Sequence, residues 1–327
     1  MRRISLTVFA LLLLCGLAGA KEVDPEPSVP KVDESGMEVI LVMGEQPGPG
    51  LWKVSSGPHV MWILGEISPF PRQVKWKSTK FDGLLRESQE LLLDFSGYWR
   101  TDAHQSAALE NAGKLPAGQD LDDVISPQLY SRVQDTAKLF GGPSLDDLHP
   151  FAATNHLVTS ALRKLDMSRF SARFAAAELG RKRHVRITYY AVPEIAFEER
   201  LRNWRHPSNV VCLERLVNTL DDGGSGVRRL ANAWSTGDIA ALRELVPAYS
   251  FSRDGFRADE CAAAMHGGEQ QSRNYKTSRT QGWLNEAERA LHDNRSTMAV
   301  VLMSEIFAED GYLAALRDKG YEITAPE

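Results

Sequence analysis

The chain has 327 residues, of which 43% are hydrophobic and 25% are charged, enough to bury one large core or two modest ones without needing metals or disulfides to fold. Its 25 glycines and 16 prolines are ordinary usage and exclude a collagen-like or low-complexity chain. The formal charge of −5 at pH 7 provides no overall basic field for a phosphate backbone, so we expect no nucleic-acid partner.

The first twenty residues are typical of a secretory signal peptide. Two arginines precede an apolar run from Leu6 to Leu14, and small residues lead to a cleavage site after Ala20. The run is shorter than the ~20 residues that a membrane span needs, and no later segment is long and apolar enough to span a bilayer. We therefore expect a periplasmic or secreted protein. A lipoprotein anchored through Cys15 is the less favoured alternative, because Leu14 stands where lipoprotein processing prefers a small residue.

Cleavage after Ala20 would leave two cysteines, Cys212 and Cys261. In an oxidising compartment they can pair, and the chain-entropy model gives such a crosslink about 4 kcal/mol of stabilisation. Two buried thiols that act as small apolar side chains are an equally good interpretation.

The N-terminal part is predicted to form a linker followed by strands. Residues 21–36 are polar and contain three prolines, which is typical of an extended linker. Residues 38–43, 51–56 and 59–64 are rich in β-branched and aromatic side chains and are predicted strands. The turn residues Gly57-Pro58 predict that the last two form a hairpin.

The middle of the chain is predominantly helical by its periodicity. A helix starting near Phe81 is predicted to lead into a strand at 91–95, and residues 114–180 are mainly helical, with Ser126 as an N-cap before Pro127. Residues 184–192 are the clearest strand that follows. Further helices are predicted at about 193–204, 208–220, 225–235, 238–246 and 278–292.

The C-terminal part returns to strands. The apolar run 297–303 predicts a buried central strand, and the chain then forms a helix ended by Gly320 and a short strand. These elements predict an α/β fold with a central mixed β-sheet built from N- and C-terminal strands and flanked by helices. The domain is expected to span 37–323, with a helical insertion at about 114–180 and residues 324–327 as a tail.

The standard motifs of phosphate, zinc and dinucleotide sites are absent from the sequence. Four segments instead resemble the TraB/GumN family, which is related to erythromycin-esterase-like and ChaN-like proteins. Residues 51–71 are similar to the family's opening and residues 299–323 to its ending, while 115–126 and 233–245 look like interior signatures in the same order. The resemblance implies a probable metal-dependent hydrolase, because family members are regarded as such and some as secreted proteases.

The family site is thought to use two Gly-x-x-His motifs, a carboxylate and an arginine. The first motif corresponds here to Gly65 through Ser68, so that serine replaces the first histidine, and Glu66 lies between them. The resemblance places the carboxylate at Asp94. It places the arginine at Arg279 and puts Glu305 where the second histidine is expected.

Both imidazoles are therefore replaced, and a serine hydroxyl is a poor zinc ligand. We expect a degenerate site in which Asp94, Arg279 and Glu305, with Ser68, occupy the catalytic positions, and Gly65, Glu66 and Ser68 would contact a ligand. The favoured function is a non-catalytic binding or accessory protein of the cell envelope, with no cofactor and with an envelope polymer, peptide or protein as partner.

Two further interpretations of these residues stay open. Asp94 and Glu305 can instead serve a re-purposed hydrolase by holding a hard divalent metal such as Mg²⁺ or Ca²⁺ through oxygens alone. If Arg279 pairs with Asp94 or Glu305, the former site survives as a structural ion pair.

Overall fold

The computed structural model describes residues 41–42, 44–72, 74–76, 79–94, 102–168, 172–190, 195–206, 209–250 and 259–326. The predicted signal peptide, the predicted linker and most of the predicted strand 38–43 lie outside these residues. None of the helices within the described ranges is long and apolar enough to cross a membrane.

The strands of the described chain are β1 (Gly44–Gln46), β2 (Trp52–Ser56), β3 (His59–Glu66), β4 (Phe70–Pro71), β5 (Val74–Trp76), β6 (Glu90–Asp94), β7 (Met167–Ser168), β8 (Arg186–Tyr190), β9 (Ser296–Leu302) and β10 (Glu322–Thr324).

The helices of the same residues are α1 (Thr79–Glu87), α2 (Ala103–Ala112), α3 (Leu121–Val124), α4 (Pro127–Phe140), α5 (Pro150–Lys164), α6 (Ala172–Lys182), α7 (Phe197–Trp204), α8 (Asn209–Leu220), α9 (Ser225–Thr236), α10 (Ile239–Tyr249), α11 (Asp259–His266), α12 (Glu269–Asp293), α13 (Met303–Phe307) and α14 (Tyr312–Asp318).

A mixed six-stranded sheet organises the fold, in the order β10-β2-β3-β9-β6-β8. The strands β3, β9, β6 and β8 run parallel, whereas β2 is antiparallel to both of its neighbours. The sheet therefore joins strands from both ends of the chain, which confirms the predicted fold class. Two small two-stranded sheets, β1-β5 and β4-β7, lie apart from it.

The parallel strands give the sheet two distinct edges. We call the side where β3, β9, β6 and β8 end the carboxyl edge, and the side where they begin the amino edge. Strand β9 lies between β3 and β6, and six of its seven residues are buried. This burial on both faces explains why its sequence is a nearly continuous apolar run, as predicted.

Local sequence explains most element boundaries. The β2–β3 hairpin turns at Gly57, whose φ of 56° lies in the left-handed region. Helix α4 begins after Ser126, whose hydroxyl accepts a hydrogen bond from the Leu129 N–H at 3.2 Å. Helix α9 ends at Gly237, whose φ is 79°. The turn at Gly57 and the N-cap at Ser126 confirm the sequence predictions, and α9 agrees with the helix predicted at about 225–235.

A second hydrophobic core lies among the helices and extends beyond the predicted insertion at 114–180. Val133 of α4 and Leu157 of α5 share this core with Leu216 of α8 and Val227 of α9, and all four are buried. The apolar faces of α4 and α5 are thus covered by helices that follow β8 in sequence. The helical region is built from two separate segments of the chain.

The two remaining cysteines form a disulfide. Cys212 of α8 and Cys261 of α11 are bonded, with their Cα atoms 4.9 Å apart and a sequence separation of 49. The structure thereby selects the first of the two interpretations that the sequence left open.

Replacing both cysteines, as Cys212→Ala with Cys261→Ala, should lower the free energy of unfolding by up to about 4 kcal/mol, because the crosslink restricts the unfolded chain. Urea unfolding with and without dithiothreitol measures the effect. The reductant should destabilise the parent protein and leave the double variant unchanged. Titration of two free thiols in the oxidised parent protein would contradict the crosslink.

A buried carboxylate stabilises the amino edge. Glu90, the first residue of β6, is 0% exposed, and it accepts hydrogen bonds from Arg186, Arg289 and Asn294. Burial by itself would raise the pKa of Glu90, but hydrogen bonds, first from Arg289 and then from Thr188, Asn294 and Arg186, outweigh it and lower the pKa to about 2. Glu90 is therefore ionised in the folded protein throughout the physiological range.

The lowered pKa predicts a loss of stability in acid. The ordinary pKa of 4.5 applies in the unfolded chain, so the contribution of Glu90 is present above pH 4.5 and lost as the pH falls towards 2. The loss should be on the order of 2 kcal/mol. Urea unfolding of Glu90→Gln at pH 7 and pH 3 should show a reduced pH dependence, whereas Glu87→Gln, at an exposed position, should behave as the parent protein does. Equal pH dependence in parent and Glu90→Gln proteins would refute this account.

Candidate functional site

The carboxyl edge brings together residues that are far apart in sequence. Glu66 ends β3 and is paired in register with Leu302, the last residue of β9. Glu305 follows three residues later, in the first turn of α13. Asp94 ends β6, which pairs with β9 on its other side. The fold thus places Glu66, Asp94 and Glu305 at the ends of three adjacent strands, where α/β proteins commonly bind ligands. The contacts of the Asp94 side chain lie outside the described part of the structure.

The Glu66 carboxylate is bound by Arg173 of α6. It is 0% exposed and accepts hydrogen bonds from the Arg173 backbone N–H at 3.1 Å and from Arg173 Nε at 2.5 Å. Arg173 Nη2 also forms an ion pair with it. The backbone N–H belongs to the first turn of α6, where such groups have no partner within the helix. Glu66 therefore caps α6 and neutralises a buried guanidinium, so it attaches this helix to the end of β3.

Arg279 and Glu305 form the second ion pair of this edge. Arg279 Nη1 lies 3.5 Å from Glu305 Oε1, and the two side chains are 8% and 5% exposed. Removing either charge would leave the other one buried and less well compensated, which is costly. The sequence analysis left open that Arg279 pairs with Glu305 as a structural ion pair, and the structure contains this pair.

The same face of α12 makes two further contacts with the C-terminal segment. One turn before Arg279, Lys276 forms an exposed ion pair with Asp310. One turn after it, the Trp283 ring stacks on Tyr312 with centroids 4.4 Å apart and an interplanar angle of 11°. Residues three and four positions apart share a helix face, so these contacts align α12 along the segment that contains Glu305.

Two glycines permit this packing. A Cβ on Gly65 would lie 2.5 Å from Met303 Sδ, so the absence of a side chain in β3 lets α13 pack closely against the strand. A Cβ on Gly311 would lie 2.1 Å from the Glu305 carbonyl oxygen, which belongs to the backbone and cannot move aside. Both glycines therefore help to position Glu305. The contribution of Gly65 to ligand contact stays a prediction.

Ser68 follows β3 and is buried. Its carbonyl oxygen accepts a hydrogen bond from the Ser250 hydroxyl at 3.1 Å, and the peptide bond between Ser68 and Pro69 is cis. This hydrogen bond from a side chain to the backbone links the segment after β3 to the end of α10. The predicted role of Ser68 in binding a ligand is not tested by these contacts.

Two features of the edge were not predicted from the sequence. Arg173 gave no signal, because it lies 107 residues from Glu66 and stands among ordinary helical residues. The hydroxyl groups of Tyr190 and Tyr312 lie 3.2 Å apart, and both side chains are buried. Tyr190 ends β8 and is paired in register with Asp94, so this contact lies at the β8 end of the carboxyl edge.

The donor set at this edge does not fit a transition-metal centre built on imidazoles. The sequence resemblance predicts Ser68 and Glu305 at the positions of the family histidines. The two carboxylates whose contacts are known, Glu66 and Glu305, are each paired with an arginine. Within the ranges that the structure describes, no group of three or more His, Cys, Asp or Glu side chains is placed to hold a metal ion.

The model of the TraB/PrgY/gumN family matches residues 50–325. The chain belongs to this family. No curated protein and no solved structure matches the chain.

The TraB/PrgY/gumN match includes the whole central sheet. It begins two residues before β2 and ends just after β10, the two sheet strands nearest the chain ends. All the candidate residues, from Gly65 to Glu305, lie inside the matched range. The resemblance that the sequence motifs indicated is thereby confirmed over most of the chain.

The pairing of Arg279 with Glu305 can be measured by a double-mutant cycle. Arg279→Gln and Glu305→Gln should each lower the free energy of unfolding by about 2 to 4 kcal/mol, because each removes an ion-pair partner from a buried charge. The double variant should lose clearly less than the sum of the two. Urea unfolding of all four proteins gives the coupling energy.

Lys276 on the same helix, in its exposed ion pair with Asp310, provides the matched control. Their side chains are 41% and 67% exposed, so Lys276→Gln should change stability by no more than about 0.5 kcal/mol. Additive effects of Arg279→Gln and Glu305→Gln would show that the buried pair is not coupled.

Proposed function

We propose that this TraB/PrgY/gumN family member is an exported protein of the cell envelope whose hydrolase site has degenerated, and that it acts as a binding or accessory protein. The observation that carries the proposal is the buried pair of Arg279 and Glu305, because the sequence resemblance predicts Glu305 where the second family histidine is expected. A neutral imidazole nitrogen has been exchanged for a carboxylate whose charge an arginine compensates.

The chemistry of the remaining groups supports loss of catalysis. A catalytic metal needs several donors and a bound water of lowered pKa. The hydroxyl of Ser68 is a poor donor to zinc, and the Glu66 carboxylate is engaged by Arg173. An ion binding here would compete with two buried guanidinium groups for the same oxygens, so both pairs favour a structural role for the former site.

Two features support export. The first twenty residues have the charge, apolar run and small-residue end of a cleavable signal. The disulfide between Cys212 and Cys261 is typical of proteins that fold in an oxidising compartment.

A re-purposed hydrolase is the alternative function. Asp94 and Glu305 lie at the ends of the adjacent strands β6 and β9, which is where two carboxylates could share a Mg²⁺ or Ca²⁺ ion. This function requires Glu305 to exchange Arg279 for the cation.

Hydrolysis assays distinguish the two functions. The purified protein should hydrolyse peptide and ester substrates no faster with Zn²⁺, Mn²⁺, Co²⁺, Mg²⁺ or Ca²⁺ than with a chelator, because the donors of a catalytic centre are missing. Isothermal titration should likewise show no tight binding of these ions. Metal-stimulated turnover that Asp94→Asn abolishes in a folded protein would reject the proposal and establish the alternative. Lys276→Gln serves as the control variant, since it changes charge near the edge without touching the buried pair.

A further inference from the structure

A groove of about 420 Å³ lies between helix α8 and the last turn of helix α10. Sites for small molecules in proteins commonly have this size. The residues that line it include Val211, Arg215 and Asn218 of α8, and Pro247, Ala248 and Tyr249 of α10. None of these residues belongs to the carboxyl edge of the sheet. The α8–α10 groove is therefore separate from the candidate site, and the proposed function does not use it.

Arg215 places a positive charge in the α8–α10 groove without a matching negative charge. Its side chain is partly buried, and its Nη2 donates a hydrogen bond to the Pro247 carbonyl oxygen at 3.2 Å. Among the described residues no carboxylate forms an ion pair with it, and burial alone lowers the pKa of Arg215. By contrast, a hydrogen bond to Glu90 raises the pKa of Arg289. Arg215 has lost part of its hydration and has gained only a carbonyl dipole in return.

The acidic residues of this region do not compensate Arg215. Glu214 also lines the α8–α10 groove, but its side chain is exposed, and it neither pairs with Arg215 nor affects the pKa of that arginine. Water screens a carboxylate in such a position. Asp221, which follows α8, pairs with Arg132. Glu244 of α10 is exposed and does not line the groove.

A second arginine contacts Tyr249. Nη2 of Arg229 lies 3.4 Å from the Tyr249 hydroxyl oxygen, and the guanidinium carbon lies 5.8 Å from the centroid of the ring. Because Arg229 donates to this oxygen, the Tyr249 O–H can itself donate to a ligand. The groove and its immediate surroundings thus contain two arginines, Arg215 and Arg229, against the single exposed acid Glu214.

Contacts between the helices hold the walls of the α8–α10 groove in place. Arg215 donates to the Pro247 carbonyl oxygen, and the Thr219 hydroxyl donates to that of Ala248 at 3.4 Å. Both carbonyl groups belong to the last turn of α10, where such groups have no partner within the helix. The Tyr249 ring packs against Gly226 of α9, where a Cβ would overlap with it. The walls are therefore formed before a ligand binds, which reduces the entropy lost on binding.

We propose that the α8–α10 groove binds a small organic acid in which one carboxylate adjoins an apolar group. A guanidinium has five N–H donors, so the hydrogen bond to Pro247 leaves others that can bind a carboxylate in a paired arrangement. The carboxylate supplies the negative charge that Arg215 lacks. Val211, Pro247 and the ring of Tyr249 provide apolar surface for the rest of the ligand.

The composition of the groove favours a singly charged ligand over a compact dianion. A phosphate ion has no apolar part to contact Val211 or Pro247, so it would leave this surface in water. It would also bring two negative charges close to Glu214, which lines the same groove. A carboxylate satisfies Arg215 with one charge and can point its apolar part towards α10.

The first test compares three probes on the parent protein. They are 3-phenylpropionate, its neutral analogue 3-phenylpropanamide, and inorganic phosphate. Isothermal titration should give a Kd of about 1 mM for the acid, as expected for a ligand of this size. The amide and phosphate should each bind at least about tenfold more weakly, because they lack the charge and the apolar part respectively. Backbone amide signals of Thr219 and Ala248 in NMR spectra should shift when the acid is added.

The second test compares variants. Arg215→Gln should weaken binding of 3-phenylpropionate about tenfold, because it removes a charged hydrogen-bond donor. Glu214→Gln, at the neighbouring position, should bind the acid at least as tightly as the parent protein does, because it removes a negative charge from the groove. Lys138→Gln is the matched control, since it removes an exposed positive charge from α4 at a position that does not line the groove. It should bind as the parent protein does.

Several results would overturn the proposal. These are equal binding of the acid and the amide, tighter binding of phosphate than of the acid, equal binding of the acid by Arg215→Gln and the parent protein, and absence of saturable binding well above about 1 mM. The comparison of probes uses the parent protein alone, so it decides the matter even if Arg215→Gln fails to fold. Binding is measured without a hydrolysis substrate and no variant alters the carboxyl edge, so these results are independent of the proposed function.

Discussion

A carboxylate buried at the end of a strand must be neutralised, and this requirement shapes the structure. Glu66 and Glu305 at one edge and Glu90 at the other are each at most 4% exposed, and each is paired with at least one arginine. The arginines come from α6, α12 and β8, so neutralising the acids also fixes these elements against the sheet. The cost of an unpaired buried charge makes each of these contacts a condition for the observed packing.

The two edges use the same pairing with different results. At the carboxyl edge, Arg173 and Arg279 are themselves buried, so both charges of each ion pair lie inside the protein. At the amino edge, Arg186 lies outside its acid and keeps donors facing solvent. At the carboxyl edge, the carboxylate oxygens that a metal would need are bound by arginines. At the amino edge, the Arg186 guanidinium is exposed to solvent. The depth of the arginine, rather than the identity of the ion pair, therefore decides whether its positive charge also reaches solvent.

Local patterns in the sequence were sufficient to predict the sheet. The apolar run of β9, the Gly57 turn and the Ser126 cap each act within a few residues, and all three were found as expected. Helix α12 is longer than predicted because its first part, from Glu269, is polar and has no apolar period. This part of the helix is in contact with α11 and, through Lys276, with Asp310. Such tertiary contacts cannot be predicted from the residues of the helix alone.

The candidate site could be predicted only in part for the same reason. Motif similarity brought Glu66, Arg279 and Glu305 to attention because each stands at a family position. It gave no information on Arg173, whose importance arises from the meeting of α6 with β3. The packing of α6 against β3 decides whether the Glu66 carboxylate is free to bind a ligand or is paired with an arginine. Because the two residues are 107 positions apart in sequence, only the folded chain reveals this pairing.

Helix α12 extends from the carboxyl edge of the sheet to its amino edge. It carries Arg279 to one side of the sheet and Arg289 to the other, and ten residues of helix correspond to about 15 Å. One helix therefore supplies an ion-pair partner to a buried carboxylate at each edge of the sheet. A substitution that alters the seating of α12 would change the surroundings of both acids.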